Sequence, residues 1–200
     1  VNGGGVRAEI NVGSVTRKAI MDINPWSNEM CVLEITGSQL ADALEYGVSA
    51  YPQEFGSFPQ VSGVTFEVHT YIDSPVTVDE LGDFISINNT MPRRVRNIKV
   101  NGEALVLDRI YTLAGTRYML QLSGYKMLSD CKEADLEIDM TDSEMLIDYF
   151  VEHLDRKLKA EQYGDINGEG RIIMINEEPD ISDTIPAGDG RMAVLWISLA

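Results

Sequence analysis

The first seven residues combine residue types that suit the rim of a small-ligand site. Residues 2–7 read Asn-Gly-Gly-Gly-Val-Arg, so an amide and a guanidinium flank three glycines. Three consecutive glycines predict a backbone that takes left-handed torsions or passes very close to another group. Asn2 offers a donor and an acceptor, and Arg7 offers a fork of donors for a phosphate or a sugar diol. The glycines alone slightly favour an ordinary tight turn after a buried strand, since the Gly-x-Gly-x-x-Gly spacing is absent.

Two aromatic residues near predicted loop or strand ends are further candidates for ligand contact. Trp26 lies in the loop segment 24–28, Asn-Pro-Trp-Ser-Asn, as either a core plug or an exposed stacking platform. The local sequence alone favours the plug. Arg117 and Tyr118 follow a predicted strand end, a common place for ligand-holding residues in α/β sheets. A surface arginine and a half-buried tyrosine explain this position equally well.

The cysteines and histidines do not predict a metal or redox centre. Cys31 and Cys131 have no Cys-x-x-Cys or zinc-type spacing, so buried free thiols are favoured over one long-range disulfide. His69, on a predicted strand, and His153, on a predicted helix, form no paired-histidine motif and are interpreted as surface or structural residues. We therefore expect no metal or other cofactor to be bound by this chain alone.

Length and charge narrow the class of partner. With 200 residues, 44% of them hydrophobic, the chain can bury one core and needs no second domain. The 32 acidic and 16 basic residues give a net charge of −16. This balance argues against a nucleic-acid polymer or an anionic membrane surface as partner, because both need a basic face. A small anionic ligand stays open, because it needs only a local pocket with one or two arginines.

The elements that must position these residues alternate between helical and strand periodicity, which predicts an α+β fold with a mixed sheet and packed helices. Thr16 or Ser14 caps the first predicted helix, and Thr141 with Glu144 forms a capping box before the last. Asn101-Gly102 predicts a type I′ hairpin. The predicted helices cover 14–22, 37–50 and 141–160. The predicted strands cover 29–36, 64–68, 84–87, 95–100, 103–105, 109–115 and 170–175, with a polar loop over 70–83.

Two helix faces are predicted to lie in the core, and the chain is divided near residue 176. The faces consist of Leu40, Ala43, Leu44, Gly47 and Val48, and of Leu146, Ile147, Phe150, Val151, Leu154 and Leu158. Residues 1–176 are predicted as one domain and 177–200 as a flexible acidic linker with a short apolar end, too short to cross a bilayer. The chain starts at Val1 without an initiator methionine or signal peptide, which predicts a fragment of a longer protein.

Several segments, in this order, resemble the C-terminal domain of the 5′-nucleotidase family, which includes bacterial UDP-sugar hydrolases and 2′,3′-cyclic-nucleotide phosphodiesterases. The resemblance covers roughly residues 1–175. Its matching segments are 2–7, 24–26 (Asn-Pro-Trp, where the family usually has Leu-Pro-Phe), 33–40, 60–63, 98–105 and 111–115.

The resemblance implies a substrate-binding domain that stacks a nucleotide base between two aromatic rings. Trp26 would be one wall and Tyr118 the other. Asn2 would hydrogen-bond the base and Arg7 the ribose or phosphate, with Gly4 and Gly5 in the same substrate-binding rim. Hydrolysis would belong to an N-terminal metallophosphatase domain that holds two divalent metal ions, so this chain alone is expected to be inactive.

One segment departs from the family pattern. Residues 121–125 read Gln-Leu-Ser-Gly-Tyr where the family has Gly-Gly-Asp-Gly followed by Phe or Tyr, and the Asp that binds the ribose hydroxyls is missing. The identity of the substrate therefore stays open. A non-catalytic surface binding or adhesion module that keeps the fold without the ligand is the rival hypothesis. A third is that residues 3–5 form only a turn and that Trp26 and Tyr118 are core residues.

The end of the chain resembles the start of a Gram-positive cell-wall sorting signal. Residues 185–189 read Ile-Pro-Ala-Gly-Asp and precede an apolar run that begins at Met192. The Thr-Gly bond of such signals is absent, and the apolar run stops early. The implied localisation is extracellular or associated with the cell wall.

Overall fold

The structure, a computed structural model, describes residues 1–136, 138–159, 161 and 170–178. Within these residues the α-helices are α1 (Arg17–Ile23), α2 (Gly37–Gly47) and α3 (Asp142–Asp148). The strands are β1 (Met30–Thr36), β2 (Val64–His69), β3 (Val76–Val78), β4 (Phe84–Ile87), β5 (Val95–Val100), β6 (Glu103–Ala104), β7 (Ile110–Thr116) and β8 (Ile172–Ile175). Single 3-10 turns occupy Gly3–Gly5 and Lys126–Leu128, and π-helical turns occupy Tyr118–Leu122 and Tyr149–His153.

The strands form three sheets, and the α+β prediction is confirmed. A four-stranded mixed sheet has the order β6-β5-β2-β8, in which only β2 and β8 run parallel. β1 and β7 form a separate antiparallel pair, in register from Met30 with Thr116 to Thr36 with Ile110. β3 and β4 form a hairpin. The two turn residues between β5 and β6, Asn101 and Gly102, have φ of 51° and 85°, as a type I′ turn requires.

Helix α2 fills the space between the sheets. The Thr36 hydroxyl accepts from the Gln39 amide N–H at 3.2 Å, and the Gln39 side chain accepts from the Thr36 N–H at 2.9 Å, which completes a capping box. The predicted apolar face of α2 is buried as expected. It packs into a core that includes Leu33, Ile35, Phe66 and Val68. This burial holds the β1–β7 pair firmly against the rest of the domain.

Two sequence predictions are wrong in detail. Segment 70–83, predicted as a polar loop, contains strand β3. Its three residues, Val76–Val78, pair with β4 although the surrounding sequence is polar. The last helix does not continue toward residue 160, since α3 passes into the π turn and Asp155 and Arg156 take positive φ of 47° and 58°. Leu158 is consequently 48% exposed instead of lying in the core.

The predictions for residues 179–200, including the flexible tail and the sorting-signal resemblance, lie outside the described residues. No helix in the described ranges is both long and apolar enough to cross a membrane.

Candidate functional site

The glycine segment is a 3-10 turn that touches a neighbouring loop. The Gly3 N–H donates to the Phe58 carbonyl at 2.8 Å, and the Gly4 N–H donates to the Gly56 carbonyl at 2.9 Å. A Cβ on Gly4 would lie 3.0 Å from the Gly56 oxygen and 3.1 Å from its Cα. Close approach of two backbones, and not a left-handed torsion, is therefore the reason for glycine at position 4.

Asn2 is bound into the same contact. Its side-chain Nδ2 donates to the Gly56 carbonyl at 2.8 Å, so this oxygen accepts from both Asn2 and Gly4. The Asn2 Oδ1 faces Gly5, where an added Cβ would lie 3.2 Å from it. One of the two N–H donors of the Asn2 side chain is thus used within the protein.

The loop that carries Trp26 is held at both ends by hydrogen bonds. At its start, the Arg7 N–H donates to the Ile23 carbonyl at 2.8 Å. The Asn24 side chain donates to the Gly5 carbonyl at 3.0 Å when its amide is assigned in the flipped orientation, which satisfies both its oxygen and its nitrogen. The buried Ser143 hydroxyl donates to the Asn24 carbonyl at 2.8 Å. These bonds join the glycine segment, the loop and the start of α3 into one unit.

Trp26 is 60% exposed on this anchored loop. The interpretation of Trp26 as a core plug, which the local sequence favoured, is therefore wrong. At the far end of the loop, the Asp142 N–H donates to the Asn28 carbonyl at 2.9 Å, and Ser27 takes a positive φ of 49°. The indole is left exposed while the backbone beneath it is fixed.

Tyr118 lies at the same end of the β1–β7 ladder as the Trp26 loop. Met30 pairs with Thr116, and the Arg117 N–H donates to the Glu29 carbonyl at 2.8 Å, so the chain enters β1 beside the point where it leaves β7. Tyr118 is 53% exposed, while its neighbours Met119 and Leu120 are buried. The hypothesis that both rings are core residues is also wrong.

Arg7 keeps an exposed guanidinium beside the glycine turn. Its Nη1 lies 3.5 Å from the Gly4 carbonyl oxygen, at the limit of a hydrogen bond. Through its backbone bond to Ile23, Arg7 is fixed to the end of α1, next to the Trp26 loop. The structure thus joins Asn2, Gly4, Gly5 and Arg7 to the loop of Trp26, and the β1–β7 ladder brings Tyr118 to that loop's other end.

Two residues of the segment that departs from the family pattern, Gly124 and Tyr125, are built into the core, whereas Leu122 is exposed. A Cβ on Gly124 would lie 1.9 Å from the Tyr46 hydroxyl oxygen, and Tyr125 is buried with its hydroxyl donating to the Ser57 carbonyl at 2.6 Å. Burial raises the pKa of the Tyr125 phenol. The Ser123 hydroxyl donates to the Met119 carbonyl at 3.0 Å. Packing therefore explains the Gly-Tyr pair that this segment shares with the family.

Asp83, which no sequence motif marks, brings a carboxylate to this segment from the β3–β4 turn. Its Oδ1 would lie 3.2 Å from a Cβ on Gly124, and its Oδ2 is 3.0 Å from the Lys126 Nζ. The Asp79 carboxylate accepts from the Asp83 N–H at 2.9 Å and fixes the turn. No local pattern predicts this contact, because it depends on a hairpin folding back over 40 residues of sequence.

Arg117 has a denser set of partners than its sequence position indicates. It forms a two-point ion pair with the Glu133 carboxylate, an ion pair with Glu29 at 3.3 Å and a hydrogen bond to the Gln121 Oε1 at 3.0 Å. The hydrogen bond from Arg117 lowers the pKa of the Glu133 carboxyl. The sequence showed the arginine but not its partners.

The two cysteines are free thiols, and their positions exclude a disulfide. Residues 131–134 run antiparallel beside β1, with Leu33 opposite Glu133. This register places Cys131 beside Ile35 and therefore four strand positions from Cys31, about 13 Å away, whereas a disulfide needs Cα atoms within about 7 Å. Burial raises the pKa of the Cys31 thiol.

His69 is a satisfied structural residue. It is buried, with Nδ1 2.9 Å from the Tyr71 hydroxyl and Nε2 3.1 Å from the Glu67 carboxylate. Across the described ranges, no group of three or more His, Cys, Asp and Glu is arranged to hold a metal ion.

Two clefts lie away from the predicted site. A cleft of about 620 Å³ lies between α2, β7 and the loop 59–63, and another of about 1010 Å³ lies between residues 10–15, α1 and α3. Neither contains Trp26 or Tyr118 in its lining. The two aromatic residues of the predicted site therefore do not line either of these clefts.

Comparison with known proteins gives a consistent result. The sequence model of the 5′-nucleotidase C-terminal domain family matches residues 1–130. The trifunctional nucleotide phosphoesterase protein YfkN of Bacillus subtilis is 29% identical over 123 residues, which cover 59% of this chain and 7% of that protein. A 5′-nucleotidase of Vibrio parahaemolyticus is 23% identical over 154 residues, which cover 76% of this chain and 23% of that protein.

Solved structures agree with the sequence matches. The crystal structure of a 5′-nucleotidase precursor from Thermus thermophilus superposes with a TM-score of 0.69 at 26% identity, covering 88% of this chain and 31% of that one. The NAD nucleotidase of Haemophilus influenzae shares the fold, with a TM-score of 0.62 at 21% identity over 86% of this chain and 29% of that one. This chain spans less than a third of the length of each of these relatives. It belongs to the 5′-nucleotidase family and carries its C-terminal domain.

Proposed function

We propose that this domain recognises a nucleotide or nucleoside by holding its base between Trp26 and Tyr118. The observation that carries the proposal is the exposure of both rings on backbone segments fixed at one end of the β1–β7 ladder. Stacking on an aromatic side chain contributes about 1–3 kcal/mol per base. Because both backbones are already ordered, little conformational entropy opposes this stacking.

The glycine segment supplies the polar part of the proposed site. Gly4 and Gly5 are proposed to belong to the substrate-binding rim because they keep the turn close to Gly56 and to the Asn2 amide oxygen, which holds Asn2 and Arg7 beside each other. Asn2 faces this turn and is proposed to hydrogen-bond the base through its amide oxygen or its second Nδ2–H, since one Nδ2–H already donates to Gly56. Arg7 is proposed to bind the ribose or phosphate, because among the described residues its exposed guanidinium makes only the long contact with Gly4 and retains donors for an anion.

Asp83 is proposed as the contact for the sugar hydroxyls. The resemblance assigns this role to an Asp that residues 121–125 lack, and Asp83 brings a carboxylate next to Gly124. A carboxylate accepts hydrogen bonds from two neighbouring hydroxyls, and its ion pair with Lys126 holds it in place.

Hydrolysis of the phosphate ester is proposed to take place on an N-terminal metallophosphatase domain that joins this domain in the whole protein. Two divalent metal ions there would stabilise the attacking and leaving oxygens. The residues of this chain bind and orient the substrate, so its phosphate can be presented to that domain.

Calorimetric titration of the 200-residue chain with adenosine, AMP and UDP-glucose, without metal, tests the proposal. We expect saturable binding that is weakened about 5- to 150-fold in Trp26→Ala and in Tyr118→Ala, as the loss of one stacked wall predicts. Tyr149→Ala is the matched control, because Tyr149 is 47% exposed on the π turn after α3. Absence of binding by the folded chain would contradict the proposal.

Asp83→Asn tests the sugar contact separately. We expect weaker adenosine binding by about 1.5–3 kcal/mol, the contribution of a hydrogen bond to a charged group, with unchanged binding of free adenine. Asp108→Asn, on the exposed turn before β7, is the control. Equal loss for adenosine and adenine would exclude a sugar contact at Asp83.

The rival hypothesis is a non-catalytic surface binding or adhesion module. It is favoured by Ser123, which stands in the segment where the family carries its Asp and whose hydroxyl donates to Met119. This hypothesis predicts a folded chain that binds none of the three ligands and whose Trp26→Ala variant behaves like the parent in every titration.

An extracellular or cell-wall localisation is proposed from residues 185–196 alone. Detection of the protein in the cell-wall fraction of the producing organism, and its release when residues 185–200 are deleted, would support this localisation. Its recovery only from the cytoplasmic fraction would contradict it.

A further inference from the structure

We propose that Arg117 is a positioning residue that sets the spacing between the Trp26 loop and the Tyr118 turn, and that it is not a contact for the ligand's phosphate. The inference rests on the proposed function, because the spacing matters for binding only if both rings hold the ligand. Arg117 is suited to this role by its place, since it is the single residue between β7 and the turn that begins at Tyr118.

The partners of Arg117 come from each part of the structure that must be aligned. Glu29 ends the loop that carries Trp26, and its carboxylate Oε2 lies 3.3 Å from the Arg117 Nε. Gln121 belongs to the Tyr118 turn and accepts from Nη1 at 3.0 Å. Glu133 lies in the segment beside β1 and binds both terminal nitrogens, with Nη2 3.0 Å from Oε2. One guanidinium therefore connects the loop, the turn and the sheet.

Four contacts engage four of the five N–H donors of Arg117 and leave one donor, on Nη2. A guanidinium has five N–H groups in a planar fork, and the nitrogen atoms that carry them all contact Glu29, Gln121 or Glu133. The two carboxylates also outnumber the single positive charge. A phosphate at this guanidinium would meet the negative charge of both carboxylates, and a two-point contact would require it to displace one of them. Arg7, which has no comparable partner among the described contacts, is the better phosphate ligand.

Glu133 is itself held in place, because its neighbours are hydrogen-bonded to β1. The neighbours of Glu133 pair with β1, since the Glu34 N–H donates to the Lys132 carbonyl and the Ala134 N–H donates to the Val32 carbonyl, both at 2.8 Å. The two-point pair with Glu133 thus holds Arg117 against the buried sheet. The bond to Glu29 then transmits this position to the loop.

The test uses a Trp196→Phe background, in which Trp26 is the single tryptophan. The variants are Arg117→Met, Arg117→Lys and Glu29→Gln. Arg109→Met is the matched control, because Arg109 immediately precedes the other end of β7 and pairs with Glu103. For each variant, the fluorescence anisotropy of Trp26 is measured without ligand, and the Kd values for adenosine and AMP are measured by titration.

We expect Arg117→Met to lower the Trp26 anisotropy and to raise both Kd values by the same factor, about three- to tenfold, as loss of an ion-pair network predicts. Arg117→Lys should restore part of the effect, Glu29→Gln should lower the anisotropy less, and Arg109→Met should change neither readout. If Arg117→Met does not fold, Arg117→Lys and Glu29→Gln decide the question.

Two results would overturn the inference. A larger loss for AMP than for adenosine would make Arg117 a phosphate contact, and unchanged anisotropy in all variants at Arg117 and Glu29 would show that it does not hold the loop. If the parent chain binds neither ligand, the proposed function fails, while the anisotropy still decides whether Arg117 positions the Trp26 loop.

Discussion

Two groups of aromatic residues in this domain differ in whether the ring is packed by its neighbours or left exposed on a fixed backbone. Tyr46 contacts Phe55, Phe84 and Tyr125 edge to face, with ring centroids 5.3, 6.0 and 4.9 Å away. In this cluster the rings themselves form the packing contacts. Trp26 and Tyr118 show the reverse, because hydrogen bonds fix the backbone and leave the rings exposed. Aromatic residues that have no part in packing are free to serve recognition.

The largest effect expected from this comparison is on stability. Tyr46→Ala should lower the free energy of unfolding by about 3–5 kcal/mol, because it empties the centre of the buried cluster. Trp26→Ala should change it by no more than about 0.5 kcal/mol, as an exposed side chain predicts. Urea denaturation measures both. A loss of several kcal/mol in Trp26→Ala would show that its indole packs in the core.

A smaller effect is expected from disturbing the backbone beneath the exposed rings. Gly4→Ala should cost about 1–3 kcal/mol of unfolding free energy, because its Cβ would press against the Gly56 backbone. Gly3→Ala is the control, since a Cβ there would meet its nearest described neighbour at 3.7 Å, an ordinary contact. Urea denaturation of the two variants decides the question. Equal stability would mean that the Gly4–Gly56 approach is not tight in solution.

The smallest effect concerns the buried phenol of Tyr125. Its pKa is raised by burial, so the unfolded chain releases this proton first, and the contribution to stability is full below about pH 10 and is lost as the pH rises further. The slope for one such tyrosine is about 1.4 kcal/mol per pH unit. Tyr125→Phe should reduce the slope by that amount, while the part due to the Tyr46 phenol, whose pKa burial also raises, stays. It should cost about 1 kcal/mol at neutral pH, where it loses the bond to Ser57. Urea denaturation from neutral pH to about pH 11 measures both quantities, and an unchanged slope would contradict the assignment.

Local signals predicted much of the fold. The Asn101-Gly102 turn, the capping box at Thr141 and Glu144, and the apolar face of α2 were all identified from spacing alone, because each depends on residues close in sequence. Strand β3 was missed because its three residues become a strand only by pairing with β4. The prediction that Leu158 lies in the core was wrong because the chain turns at Asp155 and Arg156. Neither of these residues is of a type that usually breaks a helix, so the sequence did not indicate the turn.

The proposed site was harder to predict from the sequence than the fold was. For Trp26 the local sequence favoured a core plug, and only the family resemblance indicated an exposed wall, because exposure depends on which surfaces the rest of the chain covers. The roles of Gly56, Asp83 and Arg117 as neighbours of the site follow from contacts between residues far apart in sequence. Spacing does not report such contacts.

The pairing of β2 with β8 has a consequence for how the chain folds during synthesis. β2 ends at His69, and its parallel partner begins at Ile172, so about a hundred residues are made before the sheet can close on that side. Until then β2 presents an unpaired edge, with its N–H and C=O groups open to strands of other chains. Folding should therefore be slow at this step and most prone to aggregation just before β8 leaves the ribosome. A chain expressed without β8 should therefore be insoluble, whether or not a ligand is present.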